Sequence, residues 1–249
     1  MEGFVDRVLP DAFLCALSRF VPLEQAWGWQ RQWQRLLLLN QNQQRWPGLL
    51  LLVEHPPCYT LGRGGSDQFL RFDPAQPPAP LWRLDRGGEV THHLPGQLVA
   101  YPVLDLNHHR CDLHWYLRQL EGVVLDLLLE FGLAAERVEG LTGVWLGGKK
   151  IAAIGVSARR WITQHGIALN VNCDLAGFEL IKPCGLELPV GALHQWLPGC
   201  RVEQFQQPLA RAMARRFDWV WLEAISEQNL INSLNKNGPG LGALERRSQ

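Results

Sequence analysis

Residues 144–171 read VWLGGKKIAAIGVSARRWITQHGIALNV, and the fold class turns on them. Gly147-Gly148 between apolar residues marks a two-residue hairpin turn, because glycine accepts the positive φ such turns need. The pattern predicts a hairpin over Val144 to Ile154 and a further strand from about Gly166 to Val171. Strand neighbours point to opposite sides, so one of Lys149 and Lys150 faces inward. Lysine is not the default surface cation here. Lys149, Lys150, Lys182 and Lys236 stand against 20 arginines. An inward amine beside apolar surface is a candidate general base, with a pair of solvated turn lysines as the plain alternative.

Outward from this stretch, residues 22–45 form an amphipathic helix with Pro22 at its start and Trp46-Pro47-Gly48 at its end. Leu49 to Glu54 is a buried strand, and the four prolines in 73–80 make a loop. Leu98 to Leu106 is a strand that Pro102 assigns to an edge or a bulge. Asp112 caps a helix running to Phe131 and Gly132. Its apolar series Leu113, Leu117, Leu120, Val124, Leu127, Leu128 and Phe131 reads as core. A second amphipathic helix covers 203–217, followed by a strand from Trp219 to Leu222. Strands first, then helix, strands and helix, give an α+β fold; a doubly wound sheet fits poorly. Residues 1–224 read as one domain. Residues 225–249, rich in Asn, Gly and Ser, read as a mobile tail.

The chain has 249 residues, with 24 basic and 24 acidic side chains, 47% hydrophobic residues and 19% charged. This is a globular composition, with no footprint for nucleic acid and no segment for membrane insertion. No signal peptide is visible. Cys15, Cys58, Cys111, Cys173, Cys184 and Cys200 form no Cys-x-x-Cys pair. They read as free thiols in a reducing compartment, which places the chain in the cytoplasm without a metal site. His108, His109 and His114 lack a supporting carboxylate arrangement.

Two further blocks carry chemistry. Arg86-Gly87-Gly88-Glu89-Val90-Thr91-His92-His93 combines glycines that allow close backbone approach with two histidines. If they lie on a strand, His92 and His93 cannot both serve one site. Lys182-Pro183-Cys184-Gly185 puts a thiol on a loop, where a neighbouring ammonium would favour its thiolate. Cys58, beside Pro57, is the competing nucleophile.

The ordered set Glu54-His55-Pro56-Pro57, Tyr59-Thr60-Leu61-Gly62-Arg63, RGGEVTHHLPGQL from Arg86, Tyr101-Pro102, KIAAIG from Lys150, HGIALN from His165 and PCG from Pro183 resembles the lipoyl(octanoyl) transferase family over roughly residues 20–220. The resemblance implies a biotin/lipoate protein ligase-like catalytic domain, an α+β mixed sheet with flanking helices. It implies octanoyl transfer from octanoyl-acyl carrier protein to a lysine of lipoyl domains, in 2-oxoacid dehydrogenases and the glycine-cleavage H protein. It gives Cys184 as the acyl-thioester cysteine and Lys150 as its partner. Arg86–His93, Ala153-Ile154-Gly155 and Gly166-Ile167-Ala168 would line the substrate pocket. No cofactor is implied, because the donor is already a thioester. His92 and Leu94 depart from the family's usual Tyr and Gly, and Leu94 is expected to reshape the loop. An octanoyl amidotransferase or an ATP-dependent lipoate–protein ligase would share the fold. A thioester hydrolase using Cys184 and His165, or a non-catalytic carrier-binding module, are readings of another class. An acidic carrier protein calls for a basic patch, with Arg63, Arg86, Arg159 and Arg160 as candidates.

Overall fold

Gly147 and Gly148 adopt φ of 54° and 76°, the left-handed pair that the turn between two antiparallel strands requires. The computed structural model describes residues 11–41, 46–182 and 189–235. In chain order these form β1 (Asp11–Phe20), α1 (Leu23–Asn40), β2 (Gly48–Glu54), β3 (Cys58–Leu61), β4 (Leu81–Arg83), β5 (Val90–His93) and β6 (Gln97–Val103). Then come α2 (Leu113–Glu130), β7 (Val144–Leu146), β8 (Lys149–Arg159), β9 (Ile162–Asn170), α3 (Glu203–Phe217), β10 (Val220–Ala224) and α4 (Glu227–Asn235).

The large sheet runs β10-β1-β2-β6-β9-β8-β7, and a small sheet runs β4-β3-β5. The β10-β1-β2 neighbours are parallel and the remaining pairs of the large sheet antiparallel, so the sheet is mixed. Side chains alternate between faces. Leu49, Leu51, Val53, Val99 and Tyr101 pack with Trp29, Trp33 and Leu37 of α1. Leu50, Leu52, Leu98, Ala100 and Leu169 pack with Leu120, Val124 and Leu127 of α2 and with Phe205, Leu209 and Met213 of α3. Leu49 to Leu52 are fully buried, a setting in which truncation to alanine costs about 2–5 kcal/mol. Asp112 Oδ1 accepts from the Trp115 N–H at 3.0 Å and starts α2 as expected. Gly132 (φ 73°) follows its end. No helix among the described residues is long and apolar enough to cross a membrane.

Several expectations are corrected. Strand β6 is central, between β2 and β9, although it carries Pro102. The ladder with β9 runs from Gln97↔Asn170 to Ala100↔Ile167, so Pro102 lies past its end. There the Thr163 hydroxyl donates to the Pro102 carbonyl at 2.8 Å. Strand β9 starts at Ile162 rather than Gly166, because β8 and β9 form a hairpin turning at Arg160 and Trp161. These adopt φ of 48° and 67°, and neither residue signals a turn. The tail is helical from Glu227 to Asn235. Leu230 and Leu234 are buried in the core shared with α1 and β1, and Glu227 pairs with Arg19. Residues 236–249 lie outside the described residues.

Candidate active site

β8 and β9 place Ala153 opposite Ala168 and Gly155 opposite Gly166. Alternation puts these four small residues on one face, and they line a cavity of about 440 Å³. This is the size class of small-ligand pockets. β7 pairs with β8 only as far as Ala152. Beyond it the Arg86–Glu89 loop docks on the strand edge, with the Gly87 N–H donating to the Val156 carbonyl at 2.8 Å.

Arg86 braces that loop. Its guanidinium donates to the Thr60 carbonyl (2.8 Å) and hydroxyl (2.7 Å) and to the carbonyls of Gly87 (3.0 Å) and Glu89 (3.2 Å). It is nearly buried, which removes it from the expected basic surface patch. Arg63 is paired with Asp85, while Arg159 and Arg160 are exposed at the β8–β9 turn. Gly62 is required under the loop, since a Cβ there would lie 2.4 Å from the Gly88 carbonyl oxygen.

The expected pocket residues Arg86, Gly87, Gly88, Glu89, Val90, Thr91, His93, Ala153, Ile154, Gly155, Gly166, Ile167 and Ala168 all line this cavity, with Lys150. His92 does not. Period two along β5 turns it away, where it stacks on Tyr59 at 4.3 Å and meets Phe178 edge-on. Leu94 lies off the lining, in the small core with Tyr59 and Phe178. Gly166 owes its size to β6 as well: a Cβ there would lie 2.3 Å from the Ala100 carbonyl oxygen.

Lys150 is 8% exposed and holds Nζ 5.3 Å above the Trp145 ring. Lys149 turns the other way, to Gln195 at 3.3 Å. Two backbone bonds tie Lys150 to the Pro189–Gly191 segment. The Lys150 N–H donates to the Pro189 carbonyl (2.8 Å), and the Gly191 N–H donates to the Lys150 carbonyl (3.0 Å). A polar chain reaches the same place from β5. His93 Nδ1 bonds Gln97 Oε1 (2.8 Å), Gln97 Nε2 donates to Asn170 Oδ1 (2.8 Å), and Asn170 Nδ2 donates to the Gly191 carbonyl (2.9 Å). The Gln97 oxygen accepts, so the His93 proton sits on Nδ1 and Nε2 keeps its lone pair.

His165 holds a left-handed φ of 61°, fixed by its N–H donating to Gln30 Oε1 of α1 at 2.8 Å. Burial, with Arg86 nearby, pushes its pKa down to about 3. Burial lowers His55 to about 4 and takes His93, which also faces His55, well below its ordinary value. These imidazoles are neutral at pH 7. Burial pushes the Cys58 thiol up to about 12, and Cys58 does not line the cavity, so it is a poor nucleophile. Cys184 lies outside the described residues, between Lys182 and Pro189. His109 packs against Phe217, and among the described residues no group of three metal-binding side chains occurs.

Leu113 corrects the reading of α2. Leu113 lines the cavity and is 37% exposed, whereas Leu117 packs against the core as expected and also lines the cavity. Leu84, Tyr101, Thr142, Phe178 and Val190 also line it. Tyr101 stood inside a quoted motif; the others carry no local signal and come together only through the fold.

The chain matches the lipoyl protein ligase A/B catalytic domain over residues 28–214. It therefore belongs to that family. It is 60% identical to an octanoyltransferase of Synechococcus sp. (strain WH7803) over 209 residues, covering 83% of this chain and 85% of that protein. It is 57% identical to an octanoyltransferase of Prochlorococcus marinus (strain MIT 9313) over 212 residues, covering 85% and 86%. Within the family it falls with the octanoyltransferases, and it is an acyltransferase. A putative lipoate protein ligase from T. acidophilum, solved with bound lipoic acid, superposes with a TM-score of 0.71 at 16% identity, over 91% of this chain and 93% of that one. That likeness establishes the biotin/lipoate ligase-like fold.

Proposed function

We propose that this chain moves an octanoyl group from octanoyl-acyl carrier protein to a lysine of lipoyl domains, through a thioester on Cys184. The observation that carries the reading is Lys150 lining a cavity floored by small residues, its backbone bonded to Pro189, five residues along the chain from Cys184. In the first step the Cys184 thiolate attacks the donor thioester. A new C–S bond forms, the carrier's C–S bond breaks, and the carrier thiol leaves with the proton that the Lys150 ammonium gives up, so Lys150 is left as a neutral amine. In the second step the acceptor lysine amine attacks the acyl-enzyme. The C–N bond forms, Lys150 takes the amine proton, and Cys184 leaves as thiolate. The Lys150 backbone N–H donates to the Pro189 carbonyl, so it does not serve the oxyanion.

The hydrolase reading loses support at His165, whose buried imidazole binds protons too weakly to act as base near pH 7. Intact mass after mixing with octanoyl-acyl carrier protein, without ATP or acceptor, tests the proposal. A single octanoyl adduct is expected in the wild type and none in Cys184→Ala. The adduct should discharge onto an apo lipoyl domain. Discharge by water alone would favour hydrolysis. An adduct that needs ATP and free octanoate would make the chain a ligase.

Burying about six methylenes of the chain contributes roughly 5 kcal/mol, so the cavity floor should set chain length. Ala168→Leu fills the floor and is expected to cut octanoyl transfer at least about 10-fold more than butanoyl transfer, a difference of roughly two methylenes' burial. Equal losses for both donors would put the slot elsewhere. Gly155→Leu is less clean, because a Cβ there already lies 3.0 Å from the Gly87 carbonyl oxygen.

A further inference from the structure

We propose that Glu121, in the middle of α2, is a positioning residue that aims Lys150 into the cavity. It deepens the preceding reading and rests on Lys150 acting as the partner of Cys184.

The Glu121 side chain is fully buried. Its carboxylate accepts from Arg118 Nη1 (2.7 Å), Arg137 Nε (2.9 Å) and the Gly143 N–H (3.1 Å). A buried carboxylate is expensive to desolvate, and its ion pairs are weak evidence for added stability. Here the three bonds define a geometry instead. Residues 136–145 form a loop closed at its neck by reciprocal backbone bonds between Glu136 and Trp145 (2.8 and 2.9 Å). Glu121 holds this loop at two points, Arg137 and Gly143. Arg137 also donates to the Arg118 carbonyl, at 3.0 Å, which ties the loop to α2.

Gly143 is the link to the cavity. It adopts φ of 142°, and a Cβ there would lie 2.6 Å from Lys150 Cε and 2.7 Å from the Ala152 carbonyl oxygen. The Lys150 stem therefore lies directly against the Gly143 backbone. The Trp145 ring lies 5.3 Å from Nζ. Both residues belong to the clamped loop, and Thr142, next to Gly143, lines the cavity. The path from Glu121 to the lysine is one hydrogen bond and one van der Waals contact. Weakening the hold on the Gly143 peptide lets the loop shift, and the amine shifts with it.

The test reads the Lys150–Cys184 pair in Glu121→Gln, Arg137→Ala and Lys150→Ala, and in Glu121→Gln combined with Lys150→Ala. Iodoacetamide alkylation of Cys184 is followed against pH by peptide mass spectrometry, which separates it from the exposed Cys111. Single-turnover octanoyl transfer is measured alongside. Lys150→Ala should move the alkylation profile to higher pH. Glu121→Gln should move it part of the way and slow transfer by about 10- to 10²-fold, the cost of a misplacement near 1 Å, without raising KM. In the Lys150→Ala background Glu121→Gln should add no further shift, since its effect passes through the lysine. A wild-type profile and rate in Glu121→Gln, or an undiminished shift in the double variant, would overturn the inference. A Lys150→Ala profile identical to wild type would overturn the lysine–cysteine pairing itself, and this inference with it. If Glu121→Gln fails to fold by circular dichroism, Arg137→Ala carries the same test, because it removes one of the two ties by which Glu121 holds the loop and leaves the carboxylate with Arg118 and Gly143.

Discussion

Lys150→Ala is expected to slow octanoyl transfer by about 10²- to 10⁴-fold, the range that a positioned acid–base group supplies. Lys149→Ala should change the rate by no more than about 2-fold, as a surface substitution does. The two residues are adjacent, carry the same charge and follow the same turn. Only their direction differs. Lys150 is 8% exposed and lines the cavity, while Lys149 reaches out to Gln195 and Trp196. Any effect of net charge or of the turn itself would treat them alike. Single-turnover rates on both variants, with saturating donor, make the comparison. Equal losses would remove the amine of Lys150 from the chemistry.

Acidification from pH 7 to pH 5 should destabilise the protein through His55, His93 and His165. Each is buried with a folded-state pKa below its ordinary value, about 4 for His55 and about 3 for His165. The unfolded chain therefore binds more protons than the native one below about pH 6.5. Their contribution is complete above that pH and falls as pH drops towards the folded values. At pH 5 His55 and His165 have each given up about 2 kcal/mol, which together lowers Tm by about 8 °C or more, and His93 adds to the fall. Asp85, Asp112, Glu130 and Glu227 are held low by their partners and lose stability only in more acidic solution. Glu54, raised by burial, acts in the opposite sense near the bottom of the window. His165→Asn suits the left-handed backbone and should make the slope of Tm against pH shallower. An unchanged slope in that variant would assign the fall to other groups.

The legible parts of the site were those written in local sequence. The small residues after Lys150 and after His165 face one another because β8 and β9 pair in continuous register. Alternation along β5 allowed only one of His92 and His93 to serve one site, and it is His93 that lines the cavity. Leu113 was misread because helical spacing registers an apolar face without saying whether core or cavity lies against it. Pro102 was misread because a proline is judged by its missing N–H, and whether a partner strand would need that N–H is a property of the sheet.

Local chemistry thus settled the element types: the Gly147-Gly148 turn, the Asp112 cap, the apolar run of β2 and the amphipathic third helix. Each depends on backbone preferences or on the periodicity of a single segment. Strand β1, the β8–β9 turn at Arg160-Trp161 and the helix at Glu227–Asn235 emerged only in the folded chain, since their stability comes from neighbours distant in sequence. The same holds for the bed of Lys150. Nothing in the residues around Glu121 or Gly143 announces a link to the amine. Packing α2 against the 136–145 loop brings a carboxylate, a peptide N–H and a lysine stem within contact, and long-range packing of that kind leaves no periodic trace in sequence.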